Sequence, residues 1–133
     1  MYQRTIAPTA TVPDVAVLLA ERRIGAVLVI DHEEQMLGIV SERDIVRCLA
    51  ANGARMLEMT AGQLMTRAVQ VANPGTTVNE AMQLMTVGRF RHLPVIDHGT
   101  LIGLISIGDV VKARIMQQDT VVESLTAYVA GSA

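Results

Sequence analysis

The chain has 133 residues, half of them hydrophobic, and a formal net charge of −2 at pH 7. This length suits one compact domain with a substantial core, and the weak negative charge predicts no attraction to nucleic acids. Three aromatic residues are too few for base-stacking platforms, and a single cysteine excludes an intramolecular disulfide and a cysteine metal cluster. No stretch approaches the roughly 20 apolar residues of a membrane-spanning helix, and the start "MYQRTIAPTA" lacks the apolar core of a signal peptide. We therefore expect a cytoplasmic protein without a nucleic-acid or membrane partner.

The first half of the chain reads as β-α-β-β-α. A short strand is predicted around "QRTI", and Thr11 is a predicted N-cap of the first helix. Four apolar residues recur at helical spacing after this cap: Val12, Val15, Ala16 and Leu19. "AVLVID" and "MLGIVS" are predicted buried strands, and "ERDIVRCLAANG" is a helix that ends at Asn52-Gly53. Cys48 lies on the apolar face of this helix, which indicates a small core residue.

The second half repeats this order after a short helical connector, "ARMLEMTAGQLMT". A strand is predicted around "AVQV", and Thr77 with Glu80 forms a capping-box pattern before the next helix. "HLPVID" and "LIGLIS" are predicted strands, and "GDVVKARIMQQ" is a predicted helix. Residues 119–133 carry apolar positions at helical spacing, which predicts a last amphipathic helix.

A shift of 66 residues superimposes the two halves and places the "VIDH" of residues 29–32 on that of residues 95–98. One residue is then lost in a polar turn, where deletions are tolerated. Three further matches follow the turn: Gly38 with Gly103, Ser41 with Ser106, and Asp44 with Asp109. The chain is therefore an internal duplication.

The doubled pattern of Gly, two aliphatics, Ser, two variable residues and Asp resembles a tandem CBS domain, named for cystathionine β-synthase. "GIVSERDIVR" and "GLISIGDVVKARI" are especially similar to small stand-alone bacterial CBS-pair proteins. The resemblance implies a mixed α/β fold of the α+β type, with two βαββα repeats packed as a pseudo-twofold pair, plus a C-terminal helix. The expected boundaries are 1–53 for the first repeat, 54–66 for a connector, 67–117 for the second repeat and 118–133 for the C-terminal helix.

The resemblance also implies ligands and assembly. The clefts of CBS pairs commonly bind adenine nucleotides such as AMP, ATP, NAD or NADH, and two pairs often stack into a disc-shaped homodimer. The resemblance implies a regulatory sensor without a catalytic cofactor, which acts on an unknown partner protein.

The Ser-x-x-Asp motif has a physical meaning at a strand–helix junction. A carboxylate at this position, such as Asp109 or Asp44, can cap its own helix, and it can also accept hydrogen bonds from the two adjacent hydroxyls of a ribose. Helix-start amides can meet a phosphate, and Gly108 would allow close approach. The residues alone leave the capping and the ribose interpretations equally open, and the duplication with the family resemblance favours the ribose interpretation.

The two repeats differ in their cations. Arg91 and His92 stand where the first repeat has Gly25 and Ala26, and their cationic side chains suit a phosphate. The alternative is that Arg91 is a solvated charge and that His92 merely starts a strand. With positions added by the resemblance, the expected nucleotide contacts are Ser106, Gly108, Asp109, Arg91, His92, Val71, Thr66, Ser41, Arg43, Asp44, Ala26 and Thr5.

Three other functions are weighed against this hypothesis. His32 and His98 lie in turns without a third metal ligand at suitable spacing, so no metal site is expected. No nucleophile elbow, Walker A loop or dinucleotide fingerprint is present in the sequence, so we expect no enzyme activity, with nucleotide hydrolysis a remote option. The main alternative is a structural dimerisation module with empty clefts.

Overall fold

The computed structural model describes residues 5–67 and 70–116. These residues form two compact units, one within residues 5–67 and one within 70–116. The elements of the first unit are β1 (Thr5–Ile6), α1 (Val12–Arg22), β2 (Ala26–Ile30), β3 (Met36–Ser41), α2 (Glu42–Asn52), a 3₁₀ helix (Gly53–Glu58) and α3 (Ala61–Leu64). Those of the second unit are α4 (Val78–Gly88), β4 (His92–Asp97), β5 (Thr100–Ser106) and α5 (Ile107–Ile115). The predicted C-terminal helix lies outside the described residues, and no helix within them is long and apolar enough to cross a membrane.

The sheet of the first unit has the order β1-β2-β3, with β1 parallel to β2 and β2 antiparallel to β3. Thr66 extends this sheet by pairing with Ile39 on the outer edge of β3. The register therefore places four residues in one row across the sheet: Thr5, Leu28, Ile39 and Thr66.

The helices of the first unit cover one face of its sheet. Alternate strand residues Val27, Val29 and Val40 are fully buried and pack with Val15 and Leu19 of α1. Because successive side chains of a strand point to opposite faces, the row that contains Leu28 lies on the face away from the helices. Within the predicted apolar stripe of α1, Ala16 is exposed, since it lies at the margin of the buried face.

The sheet of the second unit consists of β4 and β5, which are antiparallel. Leu93, Val95 and Ile105 form its core with the buried residues of α4 and α5. Of the strand predicted around residues 68–71, residues 68–69 lie outside the described part, and pairing is seen directly after the predicted stretch, at Ala72, which bridges Val95 in parallel. Among the described residues this parallel edge is one bridge, held by hydrogen bonds from Ala72 N to Pro94 O and from Ile96 N to Ala72 O, both 2.8 Å.

Every described α-helix begins with a reciprocal capping box, in which the N-cap hydroxyl and the side chain three residues later exchange backbone hydrogen bonds. The predicted caps Thr11 and Thr77 are confirmed. The remaining helices begin in the same way at Ser41, Thr60 and Ser106. Short polar side chains at these positions satisfy amides that would otherwise lack partners, and so fix where each helix starts.

The predicted helical connector is confirmed as the 3₁₀ helix and α3, and it belongs to the first unit. Three backbone hydrogen bonds attach it there. Val12 N donates to Met59 O at 3.0 Å, Ala61 N donates to Ala10 O at 2.8 Å, and Gly62 N donates to Pro8 O at 2.9 Å. These bonds orient the chain so that Thr66 reaches the edge of β3.

Candidate functional site

The candidate residues of the first unit meet where β3 passes into α2. Ala26 at the start of β2 pairs with Ser41 at the end of β3, and both lie on the sheet face away from the helices. Thr66 lies on the same face at the edge of β3, next to the first turn of α2 that carries Asp44. Thr5 lies at the opposite edge of the sheet, about 14 Å from Thr66 at the usual strand spacing, and is therefore outside this group.

The carboxylate of Asp44 has two sets of partners. Its Oδ2 accepts hydrogen bonds from Ser41 N at 2.8 Å and from Ser41 Oγ at 3.0 Å. Its Oδ1 accepts a longer bond, 3.4 Å, from the hydroxyl of Thr66. Asp44 is half-buried, so one oxygen is committed to the helix cap while the other remains near the surface.

Gly38 was absent from the predicted site, yet it determines how Thr66 is placed. A Cβ atom at Gly38 would lie 2.6 Å from the carbonyl oxygen of Thr66 and 2.9 Å from the sulfur of Met65. Only a residue without a side chain allows Thr66 to pair with Ile39 through bonds of 2.9 and 3.1 Å. The recurrence of glycine at this point in both repeats was the sequence signal that could have identified it.

The second unit places its candidate residues in an equivalent position. His92 at the start of β4 pairs with Ser106 at the end of β5, and both lie on the face away from the helices. The carbonyl of Arg91 accepts a 2.9 Å hydrogen bond from Ile107 N, which holds Arg91 beside the first turn of α5. Val71 immediately precedes the Ala72 bridge beside β4 and is 41% exposed.

Asp109 repeats the capping geometry of Asp44. Its Oδ2 accepts a 2.7 Å hydrogen bond from Ser106 N, and its own amide donates to Ser106 Oγ at 3.2 Å. Gly108 is exposed, and the one described atom that a Cβ there would meet is Ser106 Oγ, at 3.5 Å. A ligand could therefore approach the backbone closely at the start of α5. In α2 the equivalent position has the side chain of Arg43.

The helix starts also offer hydrogen-bond donors. In the first turn of α2, the Glu42 amide donates to Gly25 O and the Asp44 amide donates to Ser41 Oγ. Of the first three amides of this helix, that of Arg43 has no hydrogen-bond partner among the described residues. The amide of Gly108 has the corresponding position in α5. Both amides lie at the positive end of a helix dipole, where an anion is stabilised.

The charged side chains around these junctions differ between the units. In residues 5–67 and 70–116, no arginine side chain is seen in an ion pair with a carboxylate. Arg43 is exposed in the first turn of α2, and Arg91 is exposed beside the first turn of α5. Their guanidinium groups are thus available to an anionic ligand.

Two further residues lie outside these junctions. Asp31 binds turn amides, since its Oδ1 accepts hydrogen bonds from Glu33 N at 2.8 Å and from Gln35 N at 2.9 Å. Cys48 is buried, as predicted, with its sulfur 3.5 Å from that of Met59. The described residues contain no group of three His, Cys, Asp or Glu side chains that could hold a metal ion.

Comparison with known proteins gives the family. The CBS domain model matches residues 4–51 and 61–116, so the chain belongs to the CBS domain family and carries two copies of the domain. The solved structure of a CBS-domain containing protein from Agrobacterium tumefaciens is 44% identical, with a TM-score of 0.80 over 83% of this chain and 82% of that one. CBSX2 in complex with AMP is 30% identical, with a TM-score of 0.73 over 86% of this chain and 88% of that one.

Among curated sequences, the mitochondrial CBS domain-containing protein CBSX3 of Arabidopsis thaliana is 37% identical over 125 residues. The match covers 91% of this chain and 61% of that relative. Two further curated relatives are covered over 64% and 65% of their length. The chain thus spans less than two thirds of these relatives, and it has the α+β fold of the CBS-pair structures.

Proposed function

We propose that the chain is a non-catalytic regulatory module that binds an adenine nucleotide such as AMP, ATP or NAD. The observation that supports this proposal best is the duplicated carboxylate at a strand–helix junction. In each unit one carboxylate oxygen, of Asp44 or Asp109, accepts the amide of its N-cap serine. The fold similarity to CBSX2 in complex with AMP favours an adenine nucleotide over other ligands with a ribose.

The chemistry of the junction suits a nucleoside phosphate. A ribose has two adjacent hydroxyl donors, and a carboxylate accepts such donors through charge-assisted hydrogen bonds. The amides of Arg43 and Gly108 lie on helix starts, where they favour a phosphate. A nucleotide at either junction would therefore meet a carboxylate and helix-start amides together.

The cations suggest that the Asp109 site binds a nucleoside monophosphate more tightly. This site has Arg91 beside the start of α5 and His92 opposite Ser106. The Asp44 site has Arg43 in its helix and the small Ala26 opposite Ser41. Guanidinium and imidazole N–H groups both donate to phosphate oxygens. Ala26 leaves more room, so the Asp44 site would admit a bulkier group.

The proposal is tested by thermal unfolding with millimolar AMP, ADP, ATP, NAD and NADH. A ligand that binds only the folded state must raise the melting temperature, and a ligand at 100 times its Kd stabilises by about 2.7 kcal/mol. We expect at least one of these nucleotides to do so, with a Kd in the micromolar range. Unchanged melting temperatures with all five would contradict nucleotide sensing.

A titration of two variants tests the ranking of the sites. Asp109→Ala should raise the Kd for AMP by about 30- to 150-fold, because the hydrogen bonds from the ribose to a charged acceptor are lost. Asp44→Ala should raise this Kd less. Circular dichroism checks that both remain folded, since a lost helix cap costs only about 0.5–2 kcal/mol. Wild-type affinity in Asp109→Ala together with weak binding in Asp44→Ala would reverse the ranking.

The phosphate role of Arg91 has a separate test. Arg91→Ala should weaken AMP strongly and adenosine little, because adenosine lacks the phosphate that the guanidinium is proposed to bind. Arg89→Ala is a matched control, since Arg89 is also exposed and lies two residues earlier, at the end of α4. Equal loss of affinity for adenosine and AMP in Arg91→Ala would rule out the phosphate contact.

We also propose a homodimer, and a structural dimerisation module remains the second candidate function. Three apolar side chains are well exposed on α2 and α5: Val46 at 65%, Val111 at 44% and Ile115 at 77%. Large apolar side chains that are exposed in this way favour contact with another protein surface. Sedimentation should give a dimer at tens of micromolar protein, and a monomer mass would contradict this proposal.

The signal of the proposed sensor would pass to a partner protein or act through the oligomeric state. Native mass spectrometry of freshly purified protein would show both the oligomer mass and any retained nucleotide. Dimers that retain no nucleotide and bind none would favour the dimerisation module over the sensor.

A further inference from the structure

Asp44 has a limited number of acceptor positions. An ionised carboxylate has about four lone-pair sites on its two oxygens. At Asp44, the amide and the hydroxyl of Ser41 occupy Oδ2, and the hydroxyl of Thr66 occupies one position on Oδ1. Among the described residues this leaves one position on Oδ1, whereas a ribose offers two adjacent hydroxyls.

The backbone of Thr66 cannot easily move away from this carboxylate. Thr66 N donates to Ile39 O at 2.9 Å and Ile39 N donates to Thr66 O at 3.1 Å, so the residue is fixed on both sides of its Cα atom. The preceding Met65 is buried, with its sulfur against Gly38. The hydroxyl can therefore leave Asp44 only by side-chain rotation, and β-branched residues are restricted in that rotation.

We propose that Thr66 is a specificity-determining residue of the Asp44 site, because its hydroxyl occupies an acceptor position that the second ribose hydroxyl would need. The proposal rests on the proposed function, nucleotide binding at Asp44. With Thr66 in place, the carboxylate accepts one ribose hydroxyl. Either the 2′- or the 3′-hydroxyl fills this position, so the site tolerates nucleotides that lack one of them.

Removal of the Thr66 hydroxyl reverses this tolerance. Thr66→Val retains the shape and the β-branched side chain that suits strand pairing, and it frees the second position on Oδ1. AMP then gains one charge-assisted hydrogen bond, whereas 2′-deoxy-AMP and 3′-deoxy-AMP gain none. A nucleotide with both hydroxyls should be the only one of the three whose affinity rises.

Calorimetric titration with AMP, 2′-deoxy-AMP and 3′-deoxy-AMP tests the proposal. The measurement uses the full chain with Asp109→Asn, which weakens the site of the second unit. In this background we expect the three Kd values to agree within about threefold. Adding Thr66→Val should lower the Kd for AMP about tenfold and leave the Kd values for both deoxynucleotides unchanged. A tenfold change corresponds to the lower end of the range for a hydrogen bond to a charged group. Thr66→Ser, which keeps the hydroxyl, should behave like the background.

The outcomes separate this proposal from the function on which it rests. If wild type binds AMP but the ratio of AMP to deoxy-AMP affinity is the same with Thr and Val at position 66, the role of Thr66 is overturned and nucleotide binding stands. The role of Thr66 is also overturned if Thr66→Val weakens AMP binding, because the hydroxyl would then bind the ligand directly. It is likewise overturned if Asp109→Asn abolishes all AMP binding. Failure of wild type to bind AMP overturns both.

Discussion

Asp44 and Asp109 show how one side chain combines a structural and a proposed binding role. Each caps its helix through Oδ2, which fixes the carboxylate by short hydrogen bonds of 2.7–2.8 Å to a serine amide. A group fixed in this way loses little side-chain entropy when it binds a ligand. The cap thus preorganises the acceptor that the proposed nucleotide would use.

Replacement of Gly38 tests how closely the chain approaches β3. Gly38→Ala should lower the free energy of unfolding by about 1–3 kcal/mol, because the new methyl group would overlap the Thr66 carbonyl at 2.6 Å. Urea unfolding measures this loss. Gly108→Ala is the control, since its methyl group meets only Ser106 Oγ at 3.5 Å, and should raise the free energy of unfolding by up to about 1 kcal/mol. Equal stability of Gly38→Ala and wild type would show that the edge pairing is not tight.

For single residues, the sequence predicts the hydrogen bonds whose two partners are close along the chain. The caps at Thr11 and Thr77 follow from local hydrogen-bonding chemistry, and they are confirmed. The bond between Thr66 and Asp44 joins residues 22 positions apart and depends on a connector whose path no periodicity describes. The need for Gly38 follows from the same long-range approach, and therefore was not predicted.

The ends of α1 and α4 are strained at equivalent positions. Arg23 and Arg89 are the C-caps, with φ of 54° and 56°, a left-handed conformation that costs energy for any residue with a Cβ atom. Glycine adopts it freely. Both helices thus end at an arginine where glycine would be the more stable choice.

Substitution of these caps should therefore stabilise the protein. Arg23→Gly and Arg89→Gly should each raise the free energy of unfolding by about 0.5–1 kcal/mol, measured by urea unfolding. Arg22→Gly is the matched control, because Arg22 is the last helical residue of α1 and glycine there should cost about 1 kcal/mol. A loss of stability in Arg23→Gly similar to that in Arg22→Gly would mean that the arginine side chain makes a compensating interaction.

Helices and strands with strong local sequence patterns are predicted well, whereas the parallel edge of the second sheet is predicted less precisely. The strands "HLPVID" and "LIGLIS" were predicted in place, because apolar runs bounded by turn residues indicate buried strands. For the strand predicted around residues 68–71, the described residues show one parallel bridge directly after it, at Ala72, because this edge depends on pairing with β4 rather than on its own sequence. Ala16 is exposed because helical spacing alone does not define the width of a buried face.

At the scale of the whole molecule, the described residues form two hydrophobic cores that share no residue. Val29 and Val95 are equivalent in the repeat, fully buried, and members of different cores. This duplication allows the same substitution to be made once in each unit.

Paired core substitutions should act additively. Val29→Ala and Val95→Ala should each lower the free energy of unfolding by about 2 kcal/mol, because each leaves a small cavity. The double variant should lose the sum within about 0.5 kcal/mol, as expected for residues with no shared partner. Urea unfolding of the four proteins measures this, and a larger deviation would reveal energetic coupling between the cores.

The hairpin turns of the two units lie at the other end of their strands from the candidate sites. The six-residue β3 separates the first turn from Ser41 by about 20 Å, and β5 separates His98 from Ser106 by a similar length. His32 and His98 are 88% and 96% exposed, while Cys48, the only cysteine of the chain, is buried. The variant with His32→Cys and His98→Cys would therefore carry a fluorescent donor and acceptor on these turns, away from both carboxylates. Energy transfer between the dyes would report directly whether an added nucleotide changes the separation of the two units.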